Sequence, residues 1–479
     1  MSSKVFNNSY YYMLAAFLPT LVGFLMLPVY TRYLTPEDYG IIALVMSLQG
    51  FLPLLMTLQI PSSLTRFYFE YHNDIRSLKV FISTIIFFLF FISTVVTLLL
   101  ILYLSDIVYF VFPSLIDHEK LFFIGVLSSY FGIFTSLFSS LIRVQQKAKL
   151  IMKISLGLFL FSLLVNIMEV IVLKRGAYGV IEGTFISSIV TFLTYYIVTR
   201  KFIILSFNYK LLIEPLKFSI PLIPYSISGL IFLYSDRIIM EKYVSISIVG
   251  LYMFSDKISS IFKMMANEFN SAFLPHFNSV SKKSKDQAII ETRNIALVFL
   301  YIISMFITIL SLFSYEMVFI LFNDDYLEAW QYIPFLSFAY IFRALYNFSS
   351  CALFYDKKTG RIAFVNIFSG IVNISLNLWL IPIYGINAAV LSTLISFIFN
   401  YIISEFISYN SYGVILFHKQ LFMIITYSFS TLILSYWINS NFINITIIDY
   451  VYKLILVFFG LFIGYKMNIM KLYTFKYKA

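Results

Sequence analysis

The sequence predicts an all-α, polytopic membrane protein of about fourteen transmembrane helices, and three observations carry that expectation. Of its 479 residues, 60% are hydrophobic and only 12% charged, with a mean hydropathy of +0.88. No water-soluble domain of this size could hide so much apolar surface. Apolar runs at 80–104, 150–173 and 288–313 each reach the roughly 20 residues that a helix needs to cross the hydrocarbon. These runs are apolar on all sides, whereas the strands of a membrane barrel alternate apolar and polar residues.

Turn residues and charges divide the chain into helices near 10–31, 39–62, 80–104, 121–143, 151–173, 177–198, 218–240, 247–272, 288–313, 328–354, 361–382, 385–408, 419–437 and 446–466. The first follows a polar leader with one lysine and no small-residue cleavage site, so it is expected to be retained. Cytoplasmic loops keep positive charge. Of the 34 Lys and Arg, 24 fall at the two termini and in alternate loops against seven on the opposite side, so both termini are expected to be cytoplasmic. The connection between the ninth and tenth helices, with Glu316, Asp324, Asp325 and Glu328, is purely acidic and fits the outer side. The longest polar stretches, 200–217 and 278–293, are too short for a separate catalytic domain.

The net charge of +11 is dispersed among short loops, which excludes a basic domain and a nucleic-acid partner. The single cysteine, Cys351, lies in an apolar run and reads as a buried small residue. His72, His118, His276 and His418 are scattered without ligand spacing, so no metal site is expected.

Motifs recur at a spacing of about 205–211 residues. Tyr39-Gly40 opens the second helix and Val249-Gly250 the eighth. Pro19 and Pro28 in the first helix answer Pro221 and Pro224 in the seventh. Tyr178-Gly179 and Tyr384-Gly385 open the sixth and twelfth. This order predicts two parallel-repeat six-helix lobes, 1–205 and 206–410, followed by two further helices and a cytoplasmic tail in 411–479. The prolines suggest bending points, and Gly179 and Gly183 form a GxxxG match for close helix packing.

Charges inside a membrane are costly and usually face a bundle interior or a wet cavity. In the eighth helix Asp256, Ser260, Lys263, Asn267 and Asn270 recur at spacings that stack them on one face. Gln59, Ser63, Arg66 and Glu70 make a similar line at the end of the second, and Arg343 adds a cation in the tenth. Arg66, Lys263 and Arg343 are candidates to hold a diphosphate, with Asn267 and Asn270 beside them. Asp256 and Glu169 are candidate coupling sites for Na+ or H+, the only cofactor expected. Two alternatives stay open: Asp256 and Lys263 could neutralise local partners, and Arg66 could mark a helix end. Asp236-Arg237 reads as a structural pair or headgroup contact. No GxxxxGK[ST], HExxH or CxxC motif is present, so the chain is expected not to be an enzyme and no catalytic residue is assigned.

The segment Pro28-Val29-Tyr30-Thr31-Arg32-Tyr33-Leu34-Thr35-Pro36-Glu37-Asp38-Tyr39-Gly40 resembles the first-loop signature of bacterial polysaccharide flippases, the Wzx-type translocases of the multidrug/oligosaccharidyl-lipid/polysaccharide exporter superfamily. Ser62-Ser63-Leu64-Thr65-Arg66-Phe67-Tyr68, Val249-Gly250-Leu251-Tyr252 and Asn373-Ile374-Ser375-Leu376-Asn377-Leu378 are similar to it too. The resemblance implies alternating access in a bacterial inner membrane. An undecaprenyl-diphosphate-linked glycan for O-antigen or capsule would move to the outer leaflet, with membrane lipids, a polysaccharide polymerase and a chain-length regulator as partners. It also implies a cationic cavity, to which Arg66, Lys263 and, less closely, Arg32 correspond. A cation-coupled drug antiporter of the same superfamily is one competing reading, but it should favour acidic cavity residues. A membrane polysaccharide polymerase or glycosyltransferase is another, but it should carry a large outer loop or an acidic metal motif. A structural subunit of an export complex would leave the interior charges without a use.

Overall fold

The computed structural model describes residues 22–356, 358–416, 418–441 and 447–467, and no strand occurs among them. Residues 10–21 of the first expected helix lie outside the described residues. The chain divides into two compact units, Met1–Gly250 and Leu251–Ala479.

In the first unit the order is α1 (Leu27–Tyr30), α2 (Pro36–Thr57), α3 (Ile60–Tyr71), α4 (Ile75–Leu102), α5 (Leu104–Val111), α6 (Glu119–Val144), α7 (Ala148–Asn166) with a π-helical turn Ile167–Val172, α8 (Gly176–Thr199), α9 (Lys210–Ser219) and α10 (Ile223–Glu241). Helix α2 starts where it does because Thr35 and Asp38 cap each other: Asp38 N–H donates to Thr35 Oγ1 at 3.2 Å and Thr35 N–H to Asp38 Oδ2 at 2.9 Å. The other oxygen of Asp38 accepts from Ala177 N–H at 2.8 Å, which fixes the start of α8 against the start of α2.

The single helix expected over 39–62 is two helices. Leu58 and Gln59 adopt left-handed conformations, φ 49° and 61°, and separate α2 from α3. Proline supplies the reason, since neither Pro53 nor Pro61 can donate a helical hydrogen bond. Thr57 fills in, its hydroxyl donating to Pro53 O at 2.7 Å and accepting from Gln59 N–H at 3.2 Å. The line Gln59, Ser63, Arg66, Glu70 is therefore not one helical face. Gln59 precedes α3, Ser63 is buried with its hydroxyl on Ile60 O, and Arg66 and Glu70 are exposed. The proline-marked bend near 221–224 is present: Lys210–Leu222 and Ser226–Glu241 meet at 45°.

Two glycine contacts explain sequence features. A Cβ on Gly179 would lie 2.9 Å from Glu169 O and one on Gly183 would lie 3.2 Å from Asn166 Oδ1, so the GxxxG match does let α8 approach the end of α7. Gly40 and Gly250 pack on each other's neighbours: a Cβ on Gly40 would collide with Ile246 O, and one on Gly250 with Pro36 O.

The unit boundary falls one turn into α11 (Ile246–Ser281). The second unit continues with α12 (Lys285–Leu312), α13 (Ser314–Leu321), a 3-10 segment Asp324–Gln331, α14 (Ile333–Tyr355), α15 (Thr359–Tyr384), α16 (Ile386–Tyr412), α17 (Lys419–Asn441) and α18 (Ile447–Lys466). Helix α14 is its core, buried along almost its whole length and packed on α16, α12 and α15. Helices α17 and α18 lie on α12. Gly460 and Gly464 make room for Tyr427 and Tyr301, whose hydroxyls donate to Leu456 O at 2.6 Å and Gly460 O at 3.2 Å. Lys453 sits inside α18, within the last helix expected over 446–466. It is 1% exposed and pairs with Glu316 of α13, so Glu316 is a buried partner rather than part of an acidic loop surface.

Nine helices among the described residues are long and apolar enough to cross a membrane, or ten if the bent pair is one span. The count of fourteen is not recovered by that measure. Helices α11 and α14 are long enough, at 36 and 23 residues, but polar residues interrupt their apolar runs.

Candidate substrate-binding seam

Those interrupting residues meet one another. Along α11 the spacing of Asp256, Lys263, Asn267 and Asn270 places them on one face, and α14 answers with Tyr340, Arg343, Asn347 and Cys351. Tyr340 Oη donates to Asp256 Oδ1 at 2.8 Å. Asn347 Nδ2 reaches Asn267 Oδ1 and Ala266 O, both at 3.3 Å, and Cys351 Sγ donates to Asn270 Oδ1 at 3.3 Å. Ser337 and Ser259 extend the seam one turn further, at 3.1 Å. In a membrane such pairing satisfies groups that lipid cannot.

Two cations lie along this seam. Lys263, half-buried, stands between Asp256 and Asn267 on α11. Arg343, also half-buried, stands between Tyr340 and Asn347, with its guanidinium 4.9 Å from the centre of the Tyr346 ring. Tyr346 is itself anchored: Asn366 Nδ2 of α15 donates to its hydroxyl at 2.9 Å, and Asn400 Nδ2 of α16 donates to Asn366 Oδ1 at 3.2 Å. This buried chain of amides fixes the plane on which the guanidinium lies. A planar guanidinium and an ammonium offer several donors to phosphate oxygens, and the amides of Asn267 and Asn270 can both donate and accept toward hydroxyl groups.

The structure thus brings Asp256, Lys263, Asn267, Asn270 and Arg343 to one seam. Arg32, Arg66 and Glu169 lie in the first unit. Arg32 follows α1 and is exposed, as is Arg66 on α3. Glu169, in the π-helical turn, is paired with Arg175 at 3.2 Å, and Arg175 also pairs with Glu182 of α8. Sequence reasoning missed Tyr340, Tyr346, Asn347, Asn366 and Asn400. The spacing of Tyr340, Arg343, Asn347 and Cys351 was the available signal, masked because α14 is rich in aromatic residues. Among the described residues no group of three or more His, Cys, Asp or Glu could hold a metal ion.

Comparison with known proteins follows this geometry. The fold is similar to a solved lipid II flippase, MurJ, in its inward closed conformation, at a TM-score of 0.74 and 17% identity over 98% of each chain. It is also similar to an inward-facing multidrug resistance transporter of the MATE family and MOP superfamily, at 0.66 and 12% identity over 88% of this chain and 96% of that one. In sequence it is 23% identical over 293 residues, 59% of this chain and 68% of the other, to Lsg locus putative protein 1 of Haemophilus influenzae. Residues 5–281 match the family model described as polysaccharide biosynthesis protein. With more than half its length matched, this multi-pass membrane chain, sharing its fold with flippases and multidrug transporters, belongs to the polysaccharide biosynthesis protein family.

Proposed function

We propose that the chain flips an undecaprenyl-diphosphate-linked oligosaccharide from the cytoplasmic to the outer leaflet of a bacterial inner membrane, for O-antigen or capsule assembly. The observation that carries this reading is the α11–α14 seam, where Lys263 and Arg343 sit among amides on two helices packed together inside the second unit. Two cations held in a low-dielectric setting suit a diphosphate, and amides suit its sugars. The fold shared with the lipid II flippase MurJ adds weight to a lipid-linked substrate. In this reading the termini are cytoplasmic, and the path is alternating access. Arg66 attracts the diphosphate as it enters and Arg32, at the outer end of the first helix, holds it as it leaves; Asp256 and Glu169 take up a coupling Na+ or H+, and a polymerase and chain-length regulator receive the product.

The test is reconstitution into vesicles with a fluorescent undecaprenyl-diphosphate oligosaccharide in one leaflet, following its appearance in the other. Wild type should move the lipid, Lys263→Ala and Arg343→Ala should each slow it at least tenfold while remaining folded, and Asp256→Asn should change its dependence on Na+ or pH. If wild type moves no glycolipid under any ion gradient but exports small cations, the antiporter reading replaces this one.

A further inference from the structure

The first unit holds a recess of about 530 Å3 at the α2–α3 break, walled by α2, α3 and α6, within the roughly 300–1,000 Å3 of small-molecule sites. Its lining is unusual for a membrane helix bundle because it is rich in hydroxyls and contains no charged side chain. Thr57 is already committed to the backbone of the break. Thr65, Ser136 and Ser140 are different: among the described residues, none of their side chains has a hydrogen-bond partner, and none is buried. Gln59, held at φ 61°, uses its side-chain oxygen to accept from Ser62 at 3.4 Å and leaves its amide donors open.

Of the lining side chains only those of Pro53, Pro61 and Ile133 are apolar, so this wall is not built for lipid tails. Without charge it is not built for a phosphate either. Hydroxyl and amide groups that both donate and accept, over a volume of this size, match a neutral polyhydroxylated ring. Gly132, where an added Cβ would meet nothing within 4 Å, keeps the floor open. The left-handed break costs energy at Leu58 and Gln59 and is what turns Gln59 into the recess.

We infer that this recess is a sugar subsite, in which Gln59, Thr65, Ser136 and Ser140 hydrogen-bond an uncharged sugar of the lipid-linked substrate. The inference rests on the flippase reading and adds to it a glycan contact away from the cationic seam.

The experiment measures binding of two probes to the full chain in nanodiscs: undecaprenyl-diphosphate-linked oligosaccharides extracted from the source cells, and undecaprenyl diphosphate without sugar. Wild type should bind the glycosylated probe at least tenfold more tightly. The triple variant Thr65→Val, Ser136→Ala, Ser140→Ala should lose that preference while binding the bare diphosphate unchanged, as expected when two or three neutral hydrogen bonds are removed. Gly132→Leu, whose Cβ meets nothing within 4 Å and whose side chain takes up space in the recess, should do the same. If both variants keep the wild-type preference, or wild type shows none, the sugar subsite is overturned and the flippase reading stands. If wild type binds neither probe, the flippase reading itself falls and the subsite with it.

Discussion

Replacing Lys453 by methionine tests a buried ion pair of the second unit. Lys453 is 1% exposed and its Glu316 partner 7%, and the ammonium also lies 5.4 Å from the Phe313 ring centre. One oxygen of Glu316 already has no partner, so the substitution leaves an entire carboxylate buried against aromatic and aliphatic groups. Breaking a buried pair in this way costs about 3–5 kcal/mol, whereas replacing both members by apolar residues of similar volume is close to neutral. The single variant should therefore shift the unfolding equilibrium by roughly two to four orders of magnitude, and Glu316→Leu combined with Lys453→Met should recover most of it. Cys351, the only cysteine and fully buried, makes the assay direct: a thiol-reactive dye labels the chain only as it unfolds on heating in detergent. If Lys453→Met unfolds with wild type, or the double variant is no more stable than the single, the pair is not the restraint described.

Three further outcomes are expected. Gly250→Ala should destabilise by about 1–3 kcal/mol because Pro36 O stands where the methyl would go, while Gly157→Ala, with nothing within 4 Å, should stabilise α7 by up to about 1 kcal/mol; the same dye assay reads both signs. Asp74 caps α4, and the Ser77 hydroxyl bonded to it, followed by the Arg76 and Ser77 amides, lowers its carboxyl below the usual aspartate value. A lowered value means the cap's contribution is complete above about pH 4 and fades as pH falls through the folded value. Hydrogen exchange at the Arg76 and Ser77 amides should accelerate there, and Asp74→Ala should remove the pH dependence. Arg343→Lys should keep the charge yet slow glycolipid movement in vesicles, because an ammonium cannot lie flat on Tyr346 or present a paired fork of donors.

Long apolar runs told where most helices lie, because burial in lipid leaves little else for such residues to do. Helix α4, read as 80–104 and found at Ile75–Leu102, starts earlier because Asp74 caps it and ends two residues sooner. What sequence periodicity could not show was set by tertiary partners. Leu58 and Gln59 carry no mark of left-handed geometry, and Pro53 and Pro61 on either side do not say where the break falls; Thr57 folding back onto Pro53 does. That Lys453 has a partner was not legible, because Glu316 is 137 residues away. For the site, the α11 stripe was legible from spacing alone, since a 3.6-residue period reports which side chains share a face. The groups it meets on α14, and the amides behind Tyr346, were not, because contact between helices leaves no trace in either one's period.

The Glu316–Lys453 pair also bears on how the chain enters its membrane. Ribosomes add about 5–20 residues per second, so the 137 residues between the two take on the order of ten seconds to make, during which Glu316 has no cation. A lysine near the middle of a helix costs about 2.5–3.5 kcal/mol on insertion, so α18 is best delivered when α13 is already in place to receive it. A chain truncated before α18 would leave the Glu316 carboxylate without its cation.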